Sequence, residues 1–169
     1  MADRKLAYRA SSNLTVTNLA GVASSSTLVA GWTSGTIDNT SNLDLDILVT
    51  AKLTLESSGL SAGEVRVYAY SMLDDSNWPD LFSSGTEGTE GTATVHDTEM
   101  RDSGLRLLWG TVTDTGASDV YTMPATSLAQ AFGGTLPPKV ALFITQSTGT
   151  TLETTGQQVT LKGVYETVA

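Results

Sequence analysis

Cysteine is absent from the 169 residues, and histidine occurs once. Disulfides and thiolate chemistry are thereby excluded, so stability must come from packing or from assembly. Aromatic residues make up 7% of the chain and charged residues 16%, below the quarter or so typical of soluble domains. Positive charge is especially scarce: nine Lys and Arg face 18 Asp and Glu, a formal net charge of −9. That balance argues against a nucleic-acid partner, which needs a basic patch, and against an anionic membrane surface. No apolar run approaches the roughly 20 residues that cross a bilayer. Basic residues gather at the start, where Arg4, Lys5 and Arg9 surround Tyr8, but no apolar core follows them, so the start does not read as a secretory signal.

What fills the space is threonine, 27 residues, with 18 serines and 16 glycines. Thr suits the exposed face of a strand because its β-branch fits the pleat. The length fits one domain. The clearest signal is Leu43 to Glu56, reading LDLDILVTAKLTLE. Leu43, Leu45, Ile47, Val49, Ala51, Leu53 and Leu55 are all apolar, and the residues between them are polar except Leu48. This period of two predicts a strand with one dry and one wet face. Asp44, Asp46, Lys52 and Glu56 are expected on the wet face, and Leu48 is the residue there that lacks an obvious reason to be apolar.

Elsewhere the same reading predicts strands over Leu14–Thr17, Thr27–Ile37 (broken by Gly31 and Gly35), Glu64–Met72, Leu105–Thr113, Val120–Met123, Lys139–Gln146 and Gln157–Val168. In Glu64–Met72, Val65, Val67 and Ala69 should face the core, with Tyr68 and Tyr70 outward toward a neighbouring strand, a loop or a partner. Lys139–Gln146 is apolar on both faces and should be central. Asp38–Asn42 has strong turn chemistry. Asp97–Gly104 is expected to make a helical turn, and Ser127–Phe132 a short helix with Thr126 as N-cap and Gly133 as stop. The triplet repeat Gly85-Thr86-Glu87, Gly88-Thr89-Glu90 has no apolar anchor and is expected to be a mobile surface loop. About eight strands separated by turn clusters imply an all-β fold, an antiparallel two-sheet sandwich of jelly-roll type. Residues 1–12 are expected as an N-terminal arm and 13–169 as the single sandwich domain.

Chemistry is hard to find. His96 has Asp97 beside it, but no Gly-x-Ser-x-Gly elbow accompanies them. Asp74, Asp75 and Asp80 do not have the spacing of a calcium loop. The GTEGTEGT run lacks the lysine and following apolar helix of a phosphate cradle. No cofactor, metal or catalytic residue is expected. Trp109 should be buried, whereas Trp32 and Trp78 lie near turns and are candidates for an exposed binding role. The candidate interaction residues are Arg4, Lys5, Tyr8, Arg9, Trp32, Leu48 and Trp78.

Four segments carry a resemblance: Arg4-Lys5-Leu6-Ala7-Tyr8, Ile37-Asp38-Asn39-Thr40-Ser41-Asn42-Leu43, Phe132-Gly133-Gly134-Thr135-Leu136-Pro137 and Val164-Tyr165-Glu166-Thr167-Val168. Together they resemble small head-associated structural proteins of tailed bacteriophages, the capsid decoration or cement proteins. The resemblance implies a β-sandwich without catalytic residues. It implies a place on the capsid surface of the virion after assembly in the host cytoplasm, and the major capsid protein as partner. It also implies a homo-oligomer, with a trimer favoured and a dimer possible. The alternative is a carbohydrate-binding or fibre-type β-sandwich module, with Trp32 and Trp78 as its stacking residues.

Overall fold

The structure, a computed structural model, describes residues 3–56, 61–115 and 119–168. In chain order its strands are β1 (Arg4–Tyr8), β2 (Ser12–Asn13), β3 (Ala30–Thr33), β4 (Ile37–Asp38), β5 (Asp46–Thr54), β6 (Gly63–Ser71), β7 (Phe82–Ser84), β8 (Gly91–Val95), β9 (Arg106–Thr113), β10 (Val120–Ser127), β11 (Lys139–Gln146) and β12 (Gln158–Val168). A 3-10 turn at Thr17–Leu19, where a strand over Leu14–Thr17 was expected, and two short helices, α1 (Thr98–Gly104) and α2 (Leu128–Ala131), complete it. The strands form two antiparallel sheets. One runs β1-β12-β5-β10, with β2 also on β12; the other runs β7-β8-β3-β11-β6-β9, with β4 also on β11. The chain crosses between sheets at β2–β3, β4–β5, β5–β6, β9–β10, β10–β11 and β11–β12. The protein is an all-β two-sheet sandwich.

Alternation explains the main core. Ile47, Val49, Ala51 and Leu53 of β5 point across the sandwich to Val65, Val67 and Ala69 of β6 and Val140, Leu142 and Ile144 of β11, with Trp32, Met123 and Val159. Each side chain of this kind contributes roughly 1.5–3 kcal/mol on full burial. The strand begins later than its pattern suggests. The turn extends through Leu43, which has a positive φ of 52° and is 74% exposed. The Asn39 side chain holds it: Nδ2 donates to the Asp44 carbonyl at 2.9 Å, and the Asp44 amide donates to Oδ1 at 2.8 Å. Leu43 and Leu45 therefore lie outside the core, and Asp44, expected on the wet face, is buried.

The other sheet is covered on both faces. Tyr68 and Tyr70 do lie opposite Val65, Val67 and Ala69, but they are buried in a second core with Leu81, Phe82, Val95, Leu105 and Phe143. The long irregular stretch after β6 folds back as a third layer. Trp78 and Phe82 meet the Tyr70 ring edge-on, at 5.3 and 5.5 Å between centroids. Helix α1, capped by the Asp97 carboxylate on the Met100 amide at 2.7 Å, is tied down by buried Arg101, which donates to the Thr27 carbonyl and pairs with Asp102. The Gly-Thr-Glu repeat is fixed in place. Glu87 accepts from the Leu81 and Phe82 amides at 2.9 and 3.0 Å, the Gly88 amide donates to the Tyr70 hydroxyl at 3.0 Å, and Glu90 accepts from Trp32 Nε1 at 2.7 Å. The repeat was expected to be mobile for want of an apolar anchor; the Glu87 and Glu90 carboxylates anchor it instead.

Tyr70 gives this layer a pH limit. Burial pushes its hydroxyl up from 10.0 to about 12, against the lowering effect of its bonds to Thr33 and Gly88. The folded state holds the proton more tightly than the unfolded chain. Stability is therefore full below about pH 10 and declines as pH rises toward 12, by about 2–3 kcal/mol over two units. Urea midpoints measured from about pH 9 to 12 should show this decline, and Tyr70→Phe should flatten it.

Helix α2 starts one residue later than expected, with Ser127 Oγ rather than Thr126 accepting from the Gln130 amide at 3.0 Å. Gly133 ends it with a φ of 77°.

Candidate interaction surface

Among the described residues the third layer covers one sheet, and the outer face of the β1-β12-β5-β10 sheet carries no such layer. Register places Arg4, Leu6 and Tyr8 of β1 opposite Val168, Glu166 and Val164 of β12, all on this outer face. Side-chain contacts agree: Arg4 pairs with Glu166 at 3.1 Å, and Lys162 Nζ stands 5.5 Å over the Tyr8 ring. Leu48, at the centre of the face, sits between Lys162 and Ser127 and is half-buried. Beyond Asp46, β12 has no strand on its β5 side among the described residues, so β1 and the end of β12 continue as a two-stranded ribbon. Leu6, Tyr8 and Val168 are 65%, 58% and 67% exposed on it.

The residues expected as a free arm are, in their described part, the edge of this sheet: Arg4–Tyr8 and Ser12–Asn13 both pair with β12. Arg9 locks the ribbon down. Its Nε donates to Asp44 Oδ1 at 2.6 Å and its Nη2 to the Asn42 carbonyl at 2.9 Å, and the guanidinium lies 4.7 Å over the Tyr165 ring. Gly163 makes room for this, because a Cβ there would stand 2.2 Å from Asp44 Oδ2. Arg9 is thus an anchor, with its charge answered inside the molecule. Lys5, on the opposite face of the ribbon, makes no ion pair among the described residues.

Of the seven candidate interaction residues, the structure brings Arg4, Tyr8 and Leu48 onto one sheet face and leaves four elsewhere: Lys5 on the ribbon's other face, Arg9 turned in to Asp44, and the two tryptophans. Trp32 is fully buried between the sheets, and Trp78 is half-buried in the third layer against Tyr70. They do not make an exposed stacking platform. Trp109 is half-buried against the main core. Leu6 and Val168 were missed in the sequence. The signal for them is the alternation Arg4-Leu6-Tyr8 matched with Val164-Glu166-Val168, which gains meaning only once the two chain ends are known to pair.

His96 is exposed, with Nε2 3.6 Å from Asp80 Oδ1, and its neighbour Asp97 is committed to capping α1. Asp74 closes its own loop by accepting from Asn77 and the Ser76 amide, which holds its carboxyl below the usual range. Among the described residues no group of three or more acidic or histidine side chains is placed to hold a metal ion. No protein-family model matches the chain, and no curated protein matches it in sequence.

Proposed function

We propose that this protein is a non-enzymatic structural component of a tailed-bacteriophage virion. In this reading it is a decoration or cement protein, docking on the outside of the capsid through the bare face of its β1-β12-β5-β10 sheet. One observation carries the reading. The chain covers one sheet with its own third layer and leaves the other open, with Leu6, Tyr8 and Val168 exposed there beside Arg4 and Lys162. Charge is divided in the same sense. Asp74, Asp75, Asp80, Glu99 and Asp102 lie exposed on the third layer, away from that face, where the exposed Glu166 is paired with Arg4. Apolar side chains with a few cations at the contact, and acids facing outward, suit a protein that settles one way round on a larger surface. The major capsid protein is the partner this reading requires. Binding only the folded state would stabilise it by mass action, and a homo-oligomer would repeat the patch and raise its avidity.

The test is cosedimentation with empty shells assembled from the major capsid protein of the phage that carries this chain. The full chain should pellet with the shells, and Val168→Asp should bind at least about tenfold more weakly while keeping its fold, since Val168 is exposed. Deleting Met1–Arg9 should abolish binding. A chain that stays in the supernatant, or a Val168→Asp variant that binds as well as the parent, would overturn the proposal.

A further inference from the structure

We propose that β1 is the seam of a homodimer, its free edge pairing antiparallel with β1 of a second copy about a twofold axis through Leu6. This rests on the homo-oligomer part of the reading above and not on the capsid as partner. Four strands end the two sheet paths, β1, β10, β7 and β9, with the two-residue β2 and β4 lying off them, and three of the four are blunted. β7 is three residues long with a register shift, β9 is shifted against β6 between Val67 and Tyr68, and β10 breaks register between Met123 and Thr126 around Pro124. Short strands, bulges and proline are the usual devices that keep sheet edges from pairing with other chains. β1 has no bulge and no proline, and its register runs unbroken from Arg4 to Tyr8; the charges it does carry, Arg4 and Lys5, find no like charge opposite them when Leu6 lies on the axis.

The polar groups on that edge can be assigned. The Arg9 amide donates to the Gly163 carbonyl at 2.9 Å, so the Arg9 backbone faces β12. The Val164 carbonyl, opposite Tyr8, turns the other way to accept from the Leu45 amide at 2.7 Å. Alternate residues of an antiparallel strand face alternate edges. Lys5 and Ala7 therefore bond to β12, while Arg4, Leu6 and Tyr8 present N–H and C=O to the open side. Those same residues carry their side chains on the exposed outer face.

The sequence is self-complementary in this register. With Leu6 on the axis, Leu6 meets Leu6 of the second copy, and Arg4 meets Tyr8, a cation against an aromatic ring. Lys5 falls opposite Ala7, and Asp3 opposite Arg9. No two like charges stand directly across from each other, although the segment is the most basic in an acidic chain. Leu6 and Tyr8, more than half exposed in the single chain, would gain cross-strand neighbours at their sides while the outer face of the sheet stays open.

Sedimentation velocity of the full chain should show a species of twice the monomer mass whose population grows with concentration. Leu6→Lys sets two cations face to face on the axis, and it should weaken the dimer at least about tenfold without altering the fold. Because the chain has no cysteine, a single introduced thiol reports the register. Leu6→Cys should cross-link on oxidation, since directly paired residues lie about 5.5 Å apart between Cα atoms. Lys5→Cys should not, because its symmetry mate lies two residues along. A chain that remains monomeric up to about 1 mM would overturn the proposal. So would a dimer that survives Leu6→Lys, or a cross-link at Lys5→Cys in place of Leu6→Cys. No capsid enters the experiment, so its failure leaves the docking reading intact.

Discussion

Trp32→Ala should lower the unfolding free energy by about 3–5 kcal/mol, one of the largest losses available to a single substitution in this fold. Trp32 is wholly buried between the sheets, in the core that β5, β6 and β11 side chains build, and truncation leaves a cavity there that they cannot all collapse into. The loss is not only apolar. Its Nε1 is one of three donors to the Glu90 carboxylate; the others are the Asn18 amide at 2.8 Å and Asn18 Nδ2 at 2.6 Å. Trp32→Phe keeps one ring in the core and removes the donor together with the rest of the indole; the lost bond to a charged group accounts for about 1.5–3 kcal/mol of its cost. Its acid profile carries the second signature. Desolvation pushes the Glu90 carboxyl up, but the bonds from Trp32 and Asn18 outweigh it and hold the group below its ordinary 4.5. A depressed carboxyl contributes stability above its unfolded pKa and loses it as pH falls through the folded one. Urea midpoints should therefore drop in the wild type between about pH 5 and 3, and this drop should be shallower in Trp32→Phe.

The same residue shows where sequence reasoning stops. Strands that are dry on one face and wet on the other were legible, because a period of two reports exactly that situation. β11 was placed residue for residue, β12 to within one, and the inward positions Ile47 to Leu55 as a set. The third layer was not legible. Tyr68 and Tyr70 look like a wet face because what covers them, Trp78, Leu81 and Phe82, comes from a stretch with no periodicity of its own. Glu87 and Glu90 look solvated because their donors lie in the backbone of Leu81 and Phe82 and on Asn18 and Trp32, far away in composition if not in space. The edge strand β1 was hidden for the opposite reason. Exposed on both faces, it alternates nothing against nothing, and RKLAY reads as a tail until Val164–Val168 is set beside it. Asp44 and Asp46 read as twins, yet one closes the turn and binds Arg9 while the other accepts from the Ile47 and Ala129 amides at 2.7 and 2.9 Å.

Gly31→Ala and Gly35→Ala should have opposite outcomes, although the two glycines read alike as breakers of one strand. Gly31 lies inside β3, and nothing about its backbone demands glycine through a positive φ. What demands it is proximity. A Cβ at Gly31 would stand 2.2 Å from the Ile144 carbonyl oxygen and 3.1 Å from both the Ile144 carbonyl carbon and Phe143 Cζ. The nearest obstacle is backbone of the central strand and cannot swing aside as a side-chain tip would. β3 must therefore lift from β11, straining the pairs Trp32 with Ile144 and Thr33 with Phe143 and disturbing both cores at once. The expected cost is about 3 kcal/mol or more, at the upper end for overpacked sites, out of a total stability of about 5–15 kcal/mol. At Gly35 an added Cβ meets nothing within 4 Å, and φ is again not positive. Alanine there restricts the unfolded chain more than the folded one and should leave stability unchanged or raise it by about 0.4–1 kcal/mol. Urea melts of the two variants decide the matter. A Gly31→Ala protein as stable as the parent would mean that β3 and β11 are not packed backbone against side chain at this crossing, and the placement of Trp32 beside it would have to be redrawn.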